Sequence, residues 1–236
     1  MARANTLMYT ASVLQLAPII AALAARTGFA GPRRWITGWF LLAIGFDVLQ
    51  RVLGQSALNN LWTAYLGSTL LGTAALCAMG GWQSNDVART AVRLMVPLSL
   101  VAAGLLFFVV ENSARFSLVV NPMYGLLVLS VAVFTMGSRG LHEDEPLLRQ
   151  EWFWISGGLA LYYGATAAVS PLGAILVPEH PGTYVKALTL QAATNIVAYV
   201  FVTIGFLCRT PRPSGASSPP SPSAWRSSWS PSERPS

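Results

Sequence analysis

Charge is what this sequence has least of. Only 10% of its 236 residues are charged, against about 25% in an ordinary soluble domain, while 53% are hydrophobic. A soluble catalytic domain does not fit into such a chain, because almost everything up to Cys208 is apolar. Lysine is nearly missing: Lys186 stands alone against fourteen arginines. There are two cysteines, Cys77 and Cys208, both within or at the end of apolar runs, which indicates no disulfide framework. The two histidines, His142 and His180, fall in loops on opposite sides and cannot share a metal. No G-x-S-x-G, no phosphate-cradling glycine loop, no H-E-x-x-H and no Cys-His zinc spacing occurs, which disfavours a serine or metal hydrolase. No cofactor is expected.

What the chain has instead is long apolar runs. Crossing a hydrocarbon core of roughly 30 Å takes about 17–25 apolar residues. Seven such runs occur, near residues 7–25, 35–53, 61–81, 94–111, 116–137, 152–175 and 184–208. Short polar loops join them, so consecutive helices should pack as antiparallel neighbours. Strands are disfavoured because barrel segments alternate over about ten residues instead of running apolar throughout.

The net charge of +6 does not imply nucleic acid, because the basic residues sit at run ends and in the tail. With the N-terminus outside, eleven arginines fall on the cytoplasmic side, among them Arg33, Arg34, Arg89, Arg93, Arg139 and Arg149. Only Arg3, Arg51, Arg115 and Lys186 fall outside, and the positive-inside rule then gives N-out, C-in in the bacterial inner membrane. Residues 1–25 imitate a signal peptide, but cleavage would put Arg26, Arg33 and Arg34 outside, so an uncleaved first helix is expected. Residues 209–236, rich in proline, serine and arginine, read as a disordered cytoplasmic tail.

Pro18, Pro97, Pro122 and Pro171 lie inside runs one, four, five and six, where each removes a backbone hydrogen bond and tends to kink a helix. Ser68, Gly72, Gly157, Gly158 and Gly164 are small enough to let helices approach closely.

Against this background Asp47 and Arg51 stand out. Asp47 lies about 9 Å below the outer end of the second run at 1.5 Å per residue. The i,i+4 spacing puts both on one helix face, where they can pair while the arginine snorkels outward. A carboxylate within a span costs at least about 2.5 kcal/mol and usually faces a bundle interior or a wet cavity. A structural pair and a functional cavity are both open here.

Other polar residues gather at similar depth. Asn60, Trp62, Tyr65 and Thr69 open the third run, and Asn121 and Tyr124 are one turn apart in the fifth. Tyr184, Leu188, Gln191 and Asn195 form a stripe in the seventh, and Ser12, Gln15, Glu111 and Arg115 add to the set. Such amides can be interhelical hydrogen bonds worth only about 0.6 kcal/mol each. Convergence from six helices suggests an outward-facing pocket lined by amides and aromatics, with Asp47 as its anionic anchor.

Two other features carry less. The acidic run at 142–145 lacks the glycine turn and ligand register of a calcium loop and reads as a solvated loop. Lys186 opens the last run near its surface, whereas a retinal Schiff base needs a mid-helix lysine, which disfavours a retinal protein.

The span-two aspartate, "GQSALNNLW" leading the third run, "FWISGGLALYYGA" in the sixth and "NIVAYVFVTIGF" in the seventh resemble a group of small prokaryotic seven-helix membrane proteins. The likeness covers residues 35 to 207 and implies shared positions at Asp47, Asn59, Asn60, Trp62 and the Gly157-Gly158 to Tyr162-Tyr163 segment. Members often continue the third span with a histidine and a glutamate; Tyr65 and Leu71 stand here instead. The group brings an architecture and no activity.

The expectation is thus an all-α, seven-helix membrane domain over 1–208 with a tail over 209–236. It would act as a non-enzymatic sensor or small-ligand-binding module through Asp47, Arg51, Asn60, Trp62, Tyr65, Asn121, Tyr124, Gln191 and Asn195. Expected partners are the bilayer, a small molecule or lipid in the pocket and a membrane protein, with no nucleic acid. The alternatives are an accessory subunit of a larger membrane complex, and an intramembrane enzyme or transporter using Asp47.

Overall fold

The structure, a computed structural model, describes residues 2–25, 29–56, 61–110, 117–141, 143 and 145–208. The described chain is helical: α1 (Ala2–Leu14), α2 (Leu16–Ala24), α3 (Arg33–Gln55), α4 (Leu61–Trp82), α5 (Asp86–Val109), α6 (Val120–Gly140), a 3-10 turn (Leu147–Arg149), α7 (Glu151–Val169), α8 (Leu172–Glu179) and α9 (Pro181–Leu207). Six stretches are long and apolar enough to cross a membrane: Thr6–Ala24 through α1 and α2, then α3, α4, α5, α6 and α9. This is the signature of a multi-pass helical membrane protein. The expected tail, 209–236, lies outside the described residues.

The sixth apolar run differs from expectation. The apolar run predicts one helix over 152–175, but the helix ends at Val169 and a separate short helix begins at Leu172. Pro171 stands between them at the N-cap of α8, where a missing N–H does no harm. Within α7, three glycines and the polar-tipped Trp152, Trp154, Tyr162 and Tyr163 lower its hydropathy, so it is not among the six. It is nonetheless one of the best-buried helices, packed between α6 and α9.

The other prolines act in different ways. Pro18 has no N–H for the Leu14 carbonyl, and the helix divides at Gln15 into α1 and α2. Pro122 lies in the first turn of α6, where no intrahelical bond is lost, and Pro97 is carried inside an uninterrupted α5. Asn85 starts α5 by accepting the Val87 N–H at 2.8 Å, with Asp86 in the first turn.

Neighbours run in a closed circuit: α2 on α3, α3 on α4, α4 on α6, α6 on α7, α7 on α9, and α9 back on α2. Helix α5 packs chiefly on α4, at the rim. Small residues permit the closest approaches: a Cβ on Gly158 would lie 2.7 Å from the Ala198 carbonyl of α9. The circuit is filled by an aromatic core. Trp39 packs edge-on against Phe40, Tyr162 and Tyr163, and Phe40 against Tyr199. The Trp39 indole N–H donates to the Tyr163 hydroxyl at 2.8 Å, satisfying both polar tips in the dry interior.

Candidate functional site

Asp47 and Arg51 pair as their spacing predicts. Arg51 Nη2 lies 3.1 Å from Asp47 Oδ2. The arginine also reaches across to the first helix, donating to Ser12 Oγ at 2.6 Å, with its guanidinium 5.2 Å from the Tyr9 ring centroid. It therefore bridges α3 to α1. The Asp47 carboxylate lines none of the cavities described below.

A polar cavity of about 490 Å³ lies one turn further along, among α3, α4, α6, α7 and α9. Its polar lining comes from the amides of Gln50, Asn121 and Gln191 and the hydroxyls of Ser117, Ser170 and Tyr184, with Leu61 and Val169 as apolar wall. No described lining residue is charged. The amides are held in place: the Asn121 carbonyl accepts from Ser68 Oγ, its backbone N–H donates to Ser117 Oγ at 3.0 Å, and Gln191 Nε2 donates to Thr166 Oγ1 at 3.2 Å. Thr166 in turn donates to the Tyr162 carbonyl at 2.9 Å. The site is a concave surface of fixed donors and acceptors on rigid helices.

The remaining residues singled out from the sequence go elsewhere. Trp62 and Tyr65 line an apolar groove of about 340 Å³ between α4 and α5, where the Tyr65 ring meets Phe107 edge-on at 5.3 Å. Tyr124 is fully buried against Gly72, and its hydroxyl has no hydrogen-bond partner among the described residues. The Asn195 carbonyl oxygen is in the same position, one helical turn beyond Gln191 on α9. Asn60, with Asn59, Glu111 and Arg115, lies outside the described residues. Of the expected pocket, Asn121 and Gln191 come together, Trp62 and Tyr65 form a separate groove, and Asp47 and Arg51 serve the α1–α3 contact. Lys186 is exposed near the start of α9.

Sequence reasoning missed a cluster at the opposite, arginine-rich end. Arg33, counted among the topology-setting arginines, is buried and ion-paired with Glu151 across 118 residues of chain, its Nε donating to Glu151 Oε2 at 2.7 Å. Arg33 Nη2 donates to the Cys208 carbonyl at 3.1 Å and the Trp82 indole to Glu151 Oε1 at 3.3 Å. Part of the acidic run is also engaged: Glu143, half-buried, pairs with Arg139 and accepts from the Trp152 indole at 2.9 Å, while Glu145, exposed, accepts from Gln150 at 2.8 Å. His142 and Asp144 lie outside the described residues. The available signal was the tryptophan-flanked acid at the start of the sixth run; its partner was too distant in sequence to read.

No cluster of three metal-ligating side chains occurs among the described residues. Compared with protein-family models, curated proteins and solved structures, the chain matches none of them, so the functional reading rests on geometry.

Proposed function

We propose that this is a seven-helix protein of the bacterial inner membrane, N-terminus outside and C-terminus inside, that binds a small uncharged molecule as a non-enzymatic sensor or binding module. The observation carrying this is the cavity among α3, α4, α6, α7 and α9, whose amides and hydroxyls come from α3, α6, α7 and α9 and their ends, with no charged side chain among its described lining residues. Its volume falls in the range of small-molecule sites. A ligand matching it presents both donors and acceptors, has an apolar part to meet Leu61 and Val169, and carries no net charge. The orientation is supported by the arginine distribution. Counting α7 as a seventh span is supported by its length, about 28 Å for nineteen residues at 1.5 Å each, and by its shielding between α6 and α9.

Native mass spectrometry of the purified full chain tests the reading. A retained small molecule is expected, with occupancy falling about tenfold in Asn121→Leu and in Gln191→Leu as one hydrogen bond is lost and a donor or acceptor left unpaired. Asp47→Asn, outside the cavity, should leave occupancy unchanged. Retention unaffected by either leucine variant, or lost only with Asp47, would sink the proposal and favour the transporter or enzyme alternative.

A second reading, the accessory subunit, is favoured by one feature. Helix α5 packs chiefly on α4 and leaves Leu98, Val101, Leu105 and Phe108 exposed. Lipid covers such a face equally well, which is why this reading stands second.

A further inference from the structure

At the arginine-rich end the described cations divide into two kinds. Arg33, Arg89 and Arg139 each hold a carboxylate. Arg149 has no carboxylate partner among the described residues, nor have Arg34 and Arg93, and the described acids there are already engaged: Asp86 by Arg89, Glu143 by Arg139 and Trp152, Glu145 by Gln150, Glu151 by Arg33 and Trp82; Arg149 lies apart from the cleft that Arg34 and Arg93 share. These two arginines line the same cleft, of about 430 Å³, between α3, α4 and α5. Arg34 and the exposed Trp35 come from the first turn of α3, Arg93 from α5, and Cys77 and Gly81 of α4 form the floor.

We propose that this cleft binds the phosphate group of an anionic membrane lipid. The arginine forks supply paired donors of the kind phosphate oxygens accept bidentately. Arg34, with its guanidinium 5.5 Å from the Trp35 centroid, is held at the rim where an indole suits the headgroup region. The cleft changes character inward: Cys77 lies one helical turn, roughly 6 Å, beyond Gly81, and Val96 about as far beyond Arg93. Beyond them Leu100, seven residues on from Arg93 and four on from Val96 and so on the same face of α5, continues as exposed apolar surface. A free phosphate ion would use the arginines and leave this apolar path bare, whereas a lipid uses both. Basic pockets between helices at the cytoplasmic side are a recurrent way of holding anionic headgroups, and the positive-inside count puts this end there.

The test uses the full chain in nanodiscs of equal phosphatidylglycerol and phosphatidylcholine, released into native mass spectrometry. The wild type should retain phosphatidylglycerol in preference to phosphatidylcholine. Arg34→Gln and Arg93→Gln should each lower that retention by about fivefold, the factor one basic residue contributes near an anionic surface. Arg89→Gln is the comparator, because its guanidinium is already held by Asp86 at 2.9 Å and by the Gln83 carbonyl at 3.0 Å; it should change nothing. Should a glutamine variant not fold, the corresponding lysine variant keeps the charge but not the fork, and should retain less lipid than wild type. Excess inorganic phosphate should not displace the lipid. Equal retention of the two lipids, an equal loss in Arg89→Gln, unchanged retention in the Arg34 and Arg93 variants, or full displacement by inorganic phosphate would each overturn the proposal.

Discussion

A charge placed among apolar helices is worth what faces it, and this chain offers two ion pairs for comparison. Asp47 and Arg51 are neighbours on one helix, and their side chains remain 31% and 41% exposed. Glu151 and Arg33 come from different helices, with only 14% and 4% exposed. Breaking the first pair leaves Arg51 its contacts with Ser12 and Tyr9 and room to snorkel outward, so it should cost less than breaking the second. Removing one member of the second leaves a buried charge uncompensated, so Arg33→Gln and Glu151→Gln should each destabilise by about 3–5 kcal/mol. Denaturant unfolding in detergent reads the difference; a Glu151→Gln midpoint no lower than that of Asp47→Asn would contradict the burial argument. The pair legible in sequence is therefore the weaker one. Spacing of four residues announces a helix pair, but nothing local announces a partner 118 residues away.

At the level of helices, the apolar runs located five spanning stretches to within four residues at either end, because run length is set by the bilayer and is a local property; the fourth stretch, α5, starts at Asp86, eight residues before its run, because a polar, capped first turn and two arginines precede the apolar stretch. Their interruptions were less predictable. Four prolines with the same missing N–H divide a helix at Gln15, sit harmlessly at the start of α6, pass through α5 and separate α7 from α8. Position decides for Pro122 and Pro171, which sit at helix starts where no intrahelical bond is lost; Pro18 and Pro97 both remove one, and only the first divides its helix. Glycine shows the same dependence on surroundings. Gly158→Ala pushes a Cβ to 2.7 Å from the Ala198 carbonyl, a backbone atom that cannot step aside, and should destabilise by about 1–3 kcal/mol. Gly104→Ala, with nothing within 4 Å of the added Cβ, should be neutral or stabilising by up to about 1 kcal/mol from helix propensity. Thermal unfolding of the two variants side by side checks this, and a reversal of their order would refute the α7–α9 contact.

For the whole molecule, orientation in the membrane is the property on which both proposed sites depend. With Cys77 and Cys208 replaced by serine, Ser56→Cys at the end of α3 should react with an impermeant maleimide added outside intact cells. Ser84→Cys, in the turn between α4 and α5, should react only after permeabilisation. The opposite pattern would invert the proposed topology and move the lipid cleft to the outer face. Scarcity of charge, seven apolar runs and the arginine bias were enough to read a helical membrane protein from composition and order along the chain. Such quantities are sums over neighbouring residues, and burial in lipid responds to those sums. Division of the polar residues into a cavity at Asn121 and Gln191, a groove at Trp62 and Tyr65, and a strut at Asp47 and Arg51 depended on which helices became neighbours. That choice was made by packing across the bundle, where each buried donor and acceptor takes its partner from a segment distant in sequence.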